Sequence, residues 1–291
     1  MKIIFMGTPD FAVASLKAIL DANYNVVAVI TAPDKPAGRG QKLSESAVKK
    51  FAIENNLKVL QPEKLKNPDF LAQLRQLNAD IQIVVAFRML PQVVWAMPPK
   101  GTINLHGSLL PQYRGAAPIN WAIINGEKQS GVTTFLLKQE IDTGDILFSD
   151  TVAIADNTTA GQLHDALMEI GAKLIVKTVK AIETGDYVEQ IQDNINPAGL
   201  KHAPKIFKEN CLVNWNTLTA HAYNQVRGLS PFPTAYTHFN GKVLKIFTAE
   251  KENITPSVTP GNFVSDGKTY LKFATTDGYI LVTDVQLEGK K

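Results

Sequence analysis

Short uninterrupted apolar runs rich in β-branched residues alternate with helical patterns through the first hundred residues. Lys2–Met6, Val26–Thr31, Ile81–Phe87 and Thr102–Leu105 read as strands, and Asp10–Asn23 and Ser44–Asn55 as helices between them. Strands that are apolar on both faces must be covered on both faces, which predicts a mostly parallel sheet in an α/β layer fold. In such sheets ligands bind beyond the carboxyl ends of the strands, so the functional residues are expected on strand-end loops.

The first of those loops, Gly7-Thr8-Pro9-Asp10, is a strand-to-helix turn in which Thr8 can cap the helix and Pro9 suits its first turn. It is no dinucleotide fingerprint, because Pro9 and Ala12 stand where the second and third glycines would be. The next, Ala32–Leu43, is Pro/Gly-rich and carries Lys35, Arg39 and Lys42 against one acid, Asp34, and is expected to be a long loop, mobile when free. A phosphate-binding loop is excluded: Gln41 separates Gly40 from Lys42, and no Ser or Thr follows that lysine.

Farther along, Thr159-Ala-Gly-Gln162 has the form of a capping box opening a helix with Leu163, Leu167, Ile170, Leu174 and Ile175 on its apolar positions. Residues 187–205 lose periodicity and hold Asn194, Asn196, Pro197, Gly199 and Pro204, which reads as a linker. A chain of 291 residues exceeds the usual single domain. The expected division is a first domain over 1–186, a linker over 187–205 and a second domain over 206–291. That second domain has one helix, Leu218–Val226. Short strands follow, Ala235–Phe239, Val243–Ala249, Tyr270–Ala274 and Tyr279–Val282, with turns at Asn240-Gly241 and Asp277-Gly278. A small β-barrel is the expected outcome.

The chemistry is concentrated in Asn104–Pro118, just after a predicted strand. Asn104 and His106 share side-chain parity and can project to one point. Burying either without hydrogen bonds costs ~1–3 kcal/mol, so the pair needs a partner or a purpose. A second cluster, Gln139–Asp145, follows the apolar run Val132–Leu137 and can bring Asp142 to the same sheet edge. Asn, His and Asp together suit acyl transfer without a covalent intermediate: Asn and His donate to a developing oxyanion, and Asp tunes the histidine and relays a proton. The competing structural readings are a hydrogen-bonded core histidine and a turn aspartate. A serine hydrolase using Ser108 is disfavoured, because His-Gly-Ser-Leu-Leu lacks the second glycine of the nucleophile elbow.

Composition narrows the setting. No apolar run approaches the ~18–20 residues needed to cross a bilayer, and the first residues read as neither signal peptide nor anchor. The single cysteine, Cys211, has no Cys/His cluster near it in sequence, so no metal site is expected and the thiol reads as a small structural residue. A reducing cytoplasm fits. The net charge of +3 permits an anionic partner without demanding one.

Four segments in this order, Phe5–Phe11, Pro33–Gly40, Asn104–Pro111 with Arg114-Gly-Ala-Ala-Pro118, and Asp142-Thr-Gly-Asp145, resemble the methionyl-tRNA formyltransferase family over essentially the whole chain. The resemblance implies a Rossmann-like formyltransferase domain followed by a smaller OB-like barrel. It implies that Asn104, His106 and Asp142 are catalytic, and that Ser108, Leu109, Leu110 and Pro111 contact the co-substrate 10-formyltetrahydrofolate. The implied acceptor is initiator methionyl-tRNA, with Lys35, Arg39 and Lys42 meeting the RNA on a basic loop.

Two departures from the family pattern stand out. Arg88 replaces a glycine in Ala86-Phe-Arg88-Met-Leu-Pro91 near the expected pterin pocket, read here as a surface substitution in a loop in preference to a folate contact or a reshaped pocket rim. Family members also continue past the point where this chain ends, at Gly289-Lys-Lys291, so a C-terminal tail is expected to be missing. The same three polar residues serve formyltransferases of sugar nucleotides and other small amines, and a non-catalytic RNA-binding module on this scaffold is a third possibility. The sequence does not fix the oligomeric state; a monomer is expected.

Overall fold

The computed structural model describes residues 1–37, 42–192 and 199–290. The chain forms two compact units, each drawing on several stretches: Met1–Arg114, Gly131–Thr151 and Asp165–Leu200 in one, and Gly115–Ser130, Val152–His164 and Lys201–Lys291 in the other.

The elements up to residue 106 are β1 (Lys2–Gly7), α1 (Asp10–Asp21), β2 (Asn25–Ile30), β3 (Lys35–Ala37), β4 (Lys42–Ser44), α2 (Ala47–Glu54), β5 (Val59–Leu60), α3 (Pro68–Gln76), β6 (Ile81–Val85), α4 (Gln92–Trp95) and β7 (Thr102–His106). After these come β8 (Arg114–Gly115), α5 (Pro118–Ile124), β9 (Gln129–Leu136), β10 (Ile146–Ala153), α6 (Ala160–Thr184), β11 (His202–Ala203), α7 (Thr219–Gly228), β12 (Ala235–Phe239), β13 (Lys242–Glu252), β14 (Phe263–Ser265), β15 (Leu271–Ala274) and β16 (Tyr279–Leu287).

The first unit is built on a seven-stranded sheet in the order β10-β9-β7-β6-β1-β2-β5. The pairs β1/β2, β1/β6, β2/β5 and β6/β7 are parallel, and β7/β9 is antiparallel. The apolar runs are buried as their composition requires: Ile3, Ile4, Phe5 and Met6 of β1 are at most 1% exposed. Each such side chain contributes roughly 1.5–3 kcal/mol relative to exposure. From β1 the chain builds outward to β2 and β5, then crosses to β6 on the other side, so the topological switch point, where sheets of this kind bind ligands, lies between β1 and β6. Register sets Gly7 against Val85 and Val85 against Leu105, aligning the carboxyl ends of β1, β6 and β7.

Two local expectations need correction. Thr8 does not cap α1: Pro9 is the N-cap residue, extended at ψ 177°, and no side chain caps the helix there. The chain stays extended through Pro9, so the helix end is met instead by the Asp10 carboxylate in its first turn. Residues 32–43 are not simply a loop, because β3 and β4 form an antiparallel pair with Lys35 opposite Ser44 and Ala37 opposite Lys42. The capping box read at Thr159-Ala-Gly-Gln162 forms, and α2 has a side-chain cap of its own. Ser46 Oγ accepts from Lys49 N at α2, and Thr159 and Gln162 exchange bonds at the start of α6.

The second unit carries the five-stranded antiparallel sheet β12-β13-β16-β15-β14. Register breaks near Thr248 curl it. Its core gathers Trp215, Val226, Leu244, Ile246, Phe273 and Ile280, with Trp215 stacked on Phe273 at 4.8 Å and an interplanar angle of 10°. Asp277 caps α7 from a distant turn, its carboxylate accepting from Thr219 N at 2.7 Å and Thr219 Oγ1 at 2.8 Å.

Candidate active site

The strand parity read from the sequence holds through β7, which runs to His106 and leaves Asn104 and His106 on one face. Asn104 is half-buried, and its side-chain amide has no hydrogen-bond partner among the described residues. His106 is buried, with Nε2 at 2.9 Å from the carbonyl oxygen of Tyr113. A carbonyl only accepts, so Nε2 carries the proton and Nδ1 is the nitrogen left facing outward from that bond. Asp142 Oδ2 lies 3.8 Å from Nδ1, beyond hydrogen-bond range but close enough to pair with a doubly protonated ring. The structure therefore brings His106 and Asp142 together across 36 residues, as expected.

Asp142 occupies the connection between β9 and β10. It sits at φ 55°, left-handed backbone that aspartate tolerates better than most residues. Two residues on, Gly144 leaves no space for a side chain: a Cβ there would stand 1.6 Å from the Leu136 carbonyl oxygen. Lys138 Nζ bonds Asp145 at 2.8 Å, and Thr143 Oγ1 donates to Glu140 O at 3.1 Å. The turn is thus closed on itself, with Asp142 on the His106 side.

Of the four residues expected to contact folate, Ser108 and Leu110 are buried and Leu109 and Pro111 half-exposed. Ser108 Oγ donates to Gln112 O at 2.7 Å, which leaves a wholly buried hydroxyl unavailable as a nucleophile. Thr133 Oγ1 donates to Ser108 O at 2.7 Å and accepts from Leu110 N at 3.1 Å, fixing the segment to β9. Leu110 packs on Phe135 and Ile146.

Arg88 bonds backbone, which neither sequence reading anticipated. Its guanidinium donates to the carbonyls of Pro62 and, at 2.8 Å, Glu63, and lies 5.5 Å over the Phe87 ring. Burial holds it below the usual guanidinium range. It ties the end of β6 to the stretch after β5. In the basic segment, Lys35 stands opposite Ser44 in the β3/β4 ladder. Arg39 lies outside the described residues. Asp34, the acid expected to offset these bases, is engaged instead by Lys49 and by Gln61 Nε2 at 2.8 Å, and the Lys49 hydrogen bond holds its carboxyl below the usual range. The Cys211 thiol is buried and pushed up by that burial, in keeping with a structural role. Among the described residues no group of three or more His, Cys, Asp or Glu is arranged to hold a metal ion, and no helix is long and apolar enough to cross a membrane.

Sequence reasoning missed Gln192. It is 3% exposed, and its amide reaches Asp142 O at 3.2 Å, Gly144 O at 2.5 Å and the Arg114 side chain at 2.7 Å. No local pattern marks it, since its partners lie 48 to 78 residues away.

Comparison with known proteins points the same way as the geometry. The family model described as formyl transferase matches residues 1–179, and that described as formyl transferase, C-terminal domain, matches 205–291. Proteins named methionyl-tRNA formyltransferase are similar throughout. The one from Bacteroides fragilis is 50% identical over 297 residues, and that from Bacteroides thetaiotaomicron 52% over 298, each comparison covering 100% of this chain and 92% of the relative. Among solved structures, the sugar 3N-formyl transferase WlaRD, crystallised with dTDP and 5-N-formyl-THF, superposes with a TM-score of 0.71 at 24% identity, covering 100% of this chain and 99% of that one. The N-formyltransferase from Helicobacter canadensis, complexed with folinic acid and dTDP-3-aminofucose, gives 0.71 at 22%, covering 98% and 100%. At such identities the likeness is one of fold.

Proposed function

The chain belongs to the formyl transferase family, and from that membership we propose that it moves the formyl group of 10-formyltetrahydrofolate to the amino group of initiator methionyl-tRNA. The observation that carries the acceptor is the whole-length, half-identical likeness to proteins bearing that name. The sugar-acceptor alternative draws on structures alike in fold alone.

In this proposal the methionyl amine attacks the formyl carbon and the carbonyl electrons move onto oxygen. Asn104 donates its unpaired amide N–H to that oxyanion, and His106, protonated at both nitrogens, supplies positive charge and a donor on its Nδ1 side. Such donors are worth ~2.7–4 kcal/mol each in related chemistry. Asp142 stabilises the imidazolium and takes the proton the attacking nitrogen must lose. The oxyanion electrons then re-form the carbonyl as the bond from carbon to N10 breaks, N10 takes up the proton that Asp142 removed from the amine, and tetrahydrofolate leaves with the amide formed. Leu109 and Pro111, on a segment pinned by Ser108 and Thr133, offer an apolar edge suited to the flat pterin ring. Lys35, Arg39 and Lys42 contact the RNA backbone, and the engagement of Asp34 by Lys49 leaves their charge uncompensated by that acid. The enzyme is assigned to the cytoplasm with its tRNA substrate and acts as a monomer.

A turnover assay with 10-formyltetrahydrofolate tests the acceptor. Charged initiator tRNA should be formylated, and nucleotide-linked amino sugars should not. Turnover of an amino sugar without RNA, or tRNA binding without turnover, overturns the assignment.

A further inference from the structure

We propose that Gln192 is a positioning residue for the transfer, an amide clamp that sets the Asp142 turn against His106. The proposal rests on the functional assignment above for the role of Asp142, and on geometry for the clamp itself.

The side chain of Gln192 is buried between groups of opposite hydrogen-bonding character. On one side Arg114, which only donates, offers Nε at 3.3 Å and Nη2 at 2.7 Å to Oε1. On the other, Nε2 donates to the carbonyls of Asp142 at 3.2 Å and Gly144 at 2.5 Å, which only accept. The amide orientation is therefore forced, and no carboxylate or hydrocarbon of similar size satisfies both sides. Its backbone approach is fixed as well, because Gln190 and Ile146 exchange N–H···O bonds of 2.9 Å at the start of β10. The clamp thus grips the backbone of the two residues that decide where the Asp142 carboxylate sits: Asp142 itself at φ 55°, and Gly144 pressed on Leu136. With 3.8 Å between Asp142 and His106 Nδ1, a shift of an ångström decides whether the pair forms. Misplacement on that scale can cost ~100-fold in rate. Arg114 anchors the clamp from the segment after His106, so both partners of the ion pair are referred to one side chain.

The test compares Gln192→Glu with Gln192→Met. Gln192→Glu keeps an acceptor for Arg114 but turns an oxygen toward two carbonyls, and Gln192→Met loses both sides. A clamp predicts that both lower kcat at least ~10-fold, with KM for donor and acceptor changed less than ~3-fold. It also predicts that Gln192→Glu costs less than ~2-fold further in an Asp142→Ala background. If Gln192 merely fastens its segment to Arg114, Gln192→Glu keeps wild-type kcat, which overturns the proposal. The ratios are taken on whichever amine acceptor wild type turns over, so a wrong acceptor assignment shows in wild type and leaves the clamp comparison standing. Hydrogen exchange of the 139–146 peptide needs no turnover and covers a variant of low activity. Exchange should rise there in Gln192→Glu while β7 stays protected; unchanged exchange in 139–146 contradicts the clamp.

Discussion

Single side chains in this protein were legible where their role follows from strand parity, and hidden where it follows from a distant partner. Asn104 and His106 could be placed on one face from β7 alone, because side chains alternate with period two. Arg88 could not, because nothing in Ala86-Phe-Arg88 shows that the carbonyls of Pro62 and Glu63 lie within its reach. The same holds for Tyr113, whose carbonyl sets the His106 tautomer from seven residues away. Asn104 carries a prediction of its own. With its amide unpartnered among the described residues, its removal leaves no broken network, so Asn104→Ala should keep the melting temperature within a few degrees. Loss of an oxyanion donor should lower kcat by roughly 100-fold or more. A steady-state assay with parallel thermal unfolding checks both, and a fall in stability matching the loss of rate would make Asn104 structural.

At the level of elements, the strands and helices that carry strong periodicity stood out, and the connections that build the site did not. The Asp142-Thr-Gly-Asp145 turn could be located by its composition, but its tightness is a tertiary fact: Gly144 is required by the Leu136 carbonyl. Gly144→Ala must push the turn away from β9. We expect a destabilisation of about 2 kcal/mol or more by denaturant unfolding, as for other forced overpacking, together with loss of formyl transfer. Wild-type stability in that variant would show the turn to be softer than its geometry implies. Residues 187–192 carry no periodicity because they are fastened by one backbone bridge at Gln190 and one side chain at Gln192, neither of which leaves a repeating pattern. Residues 32–43 read as a loop for a related reason: prolines and glycines interrupt the stretch, and two three-residue strands are too short to show alternation.

For the whole molecule, alternating strands and helices announced the parallel sheet, and the turn-rich second half the antiparallel one. Less visible is that stretches 115–130 and 152–164 group with the later part of the chain. The periodicity of α6 runs unbroken across the division at Asp165, and a boundary set by non-local contacts leaves no mark on it. In the proposed reaction the molecule presents one reacting centre to a folate and a charged tRNA together, with His106 and Asp142 as the pair proposed to carry it. The most direct test is the single-turnover rate of formyl transfer to initiator methionyl-tRNA at saturating 10-formyltetrahydrofolate, in wild type, His106→Ala and Asp142→Ala. Wild type should transfer rapidly and each variant should lose ~100-fold or more, with folding and donor binding retained; near-native transfer by either variant would remove the pair from the reaction.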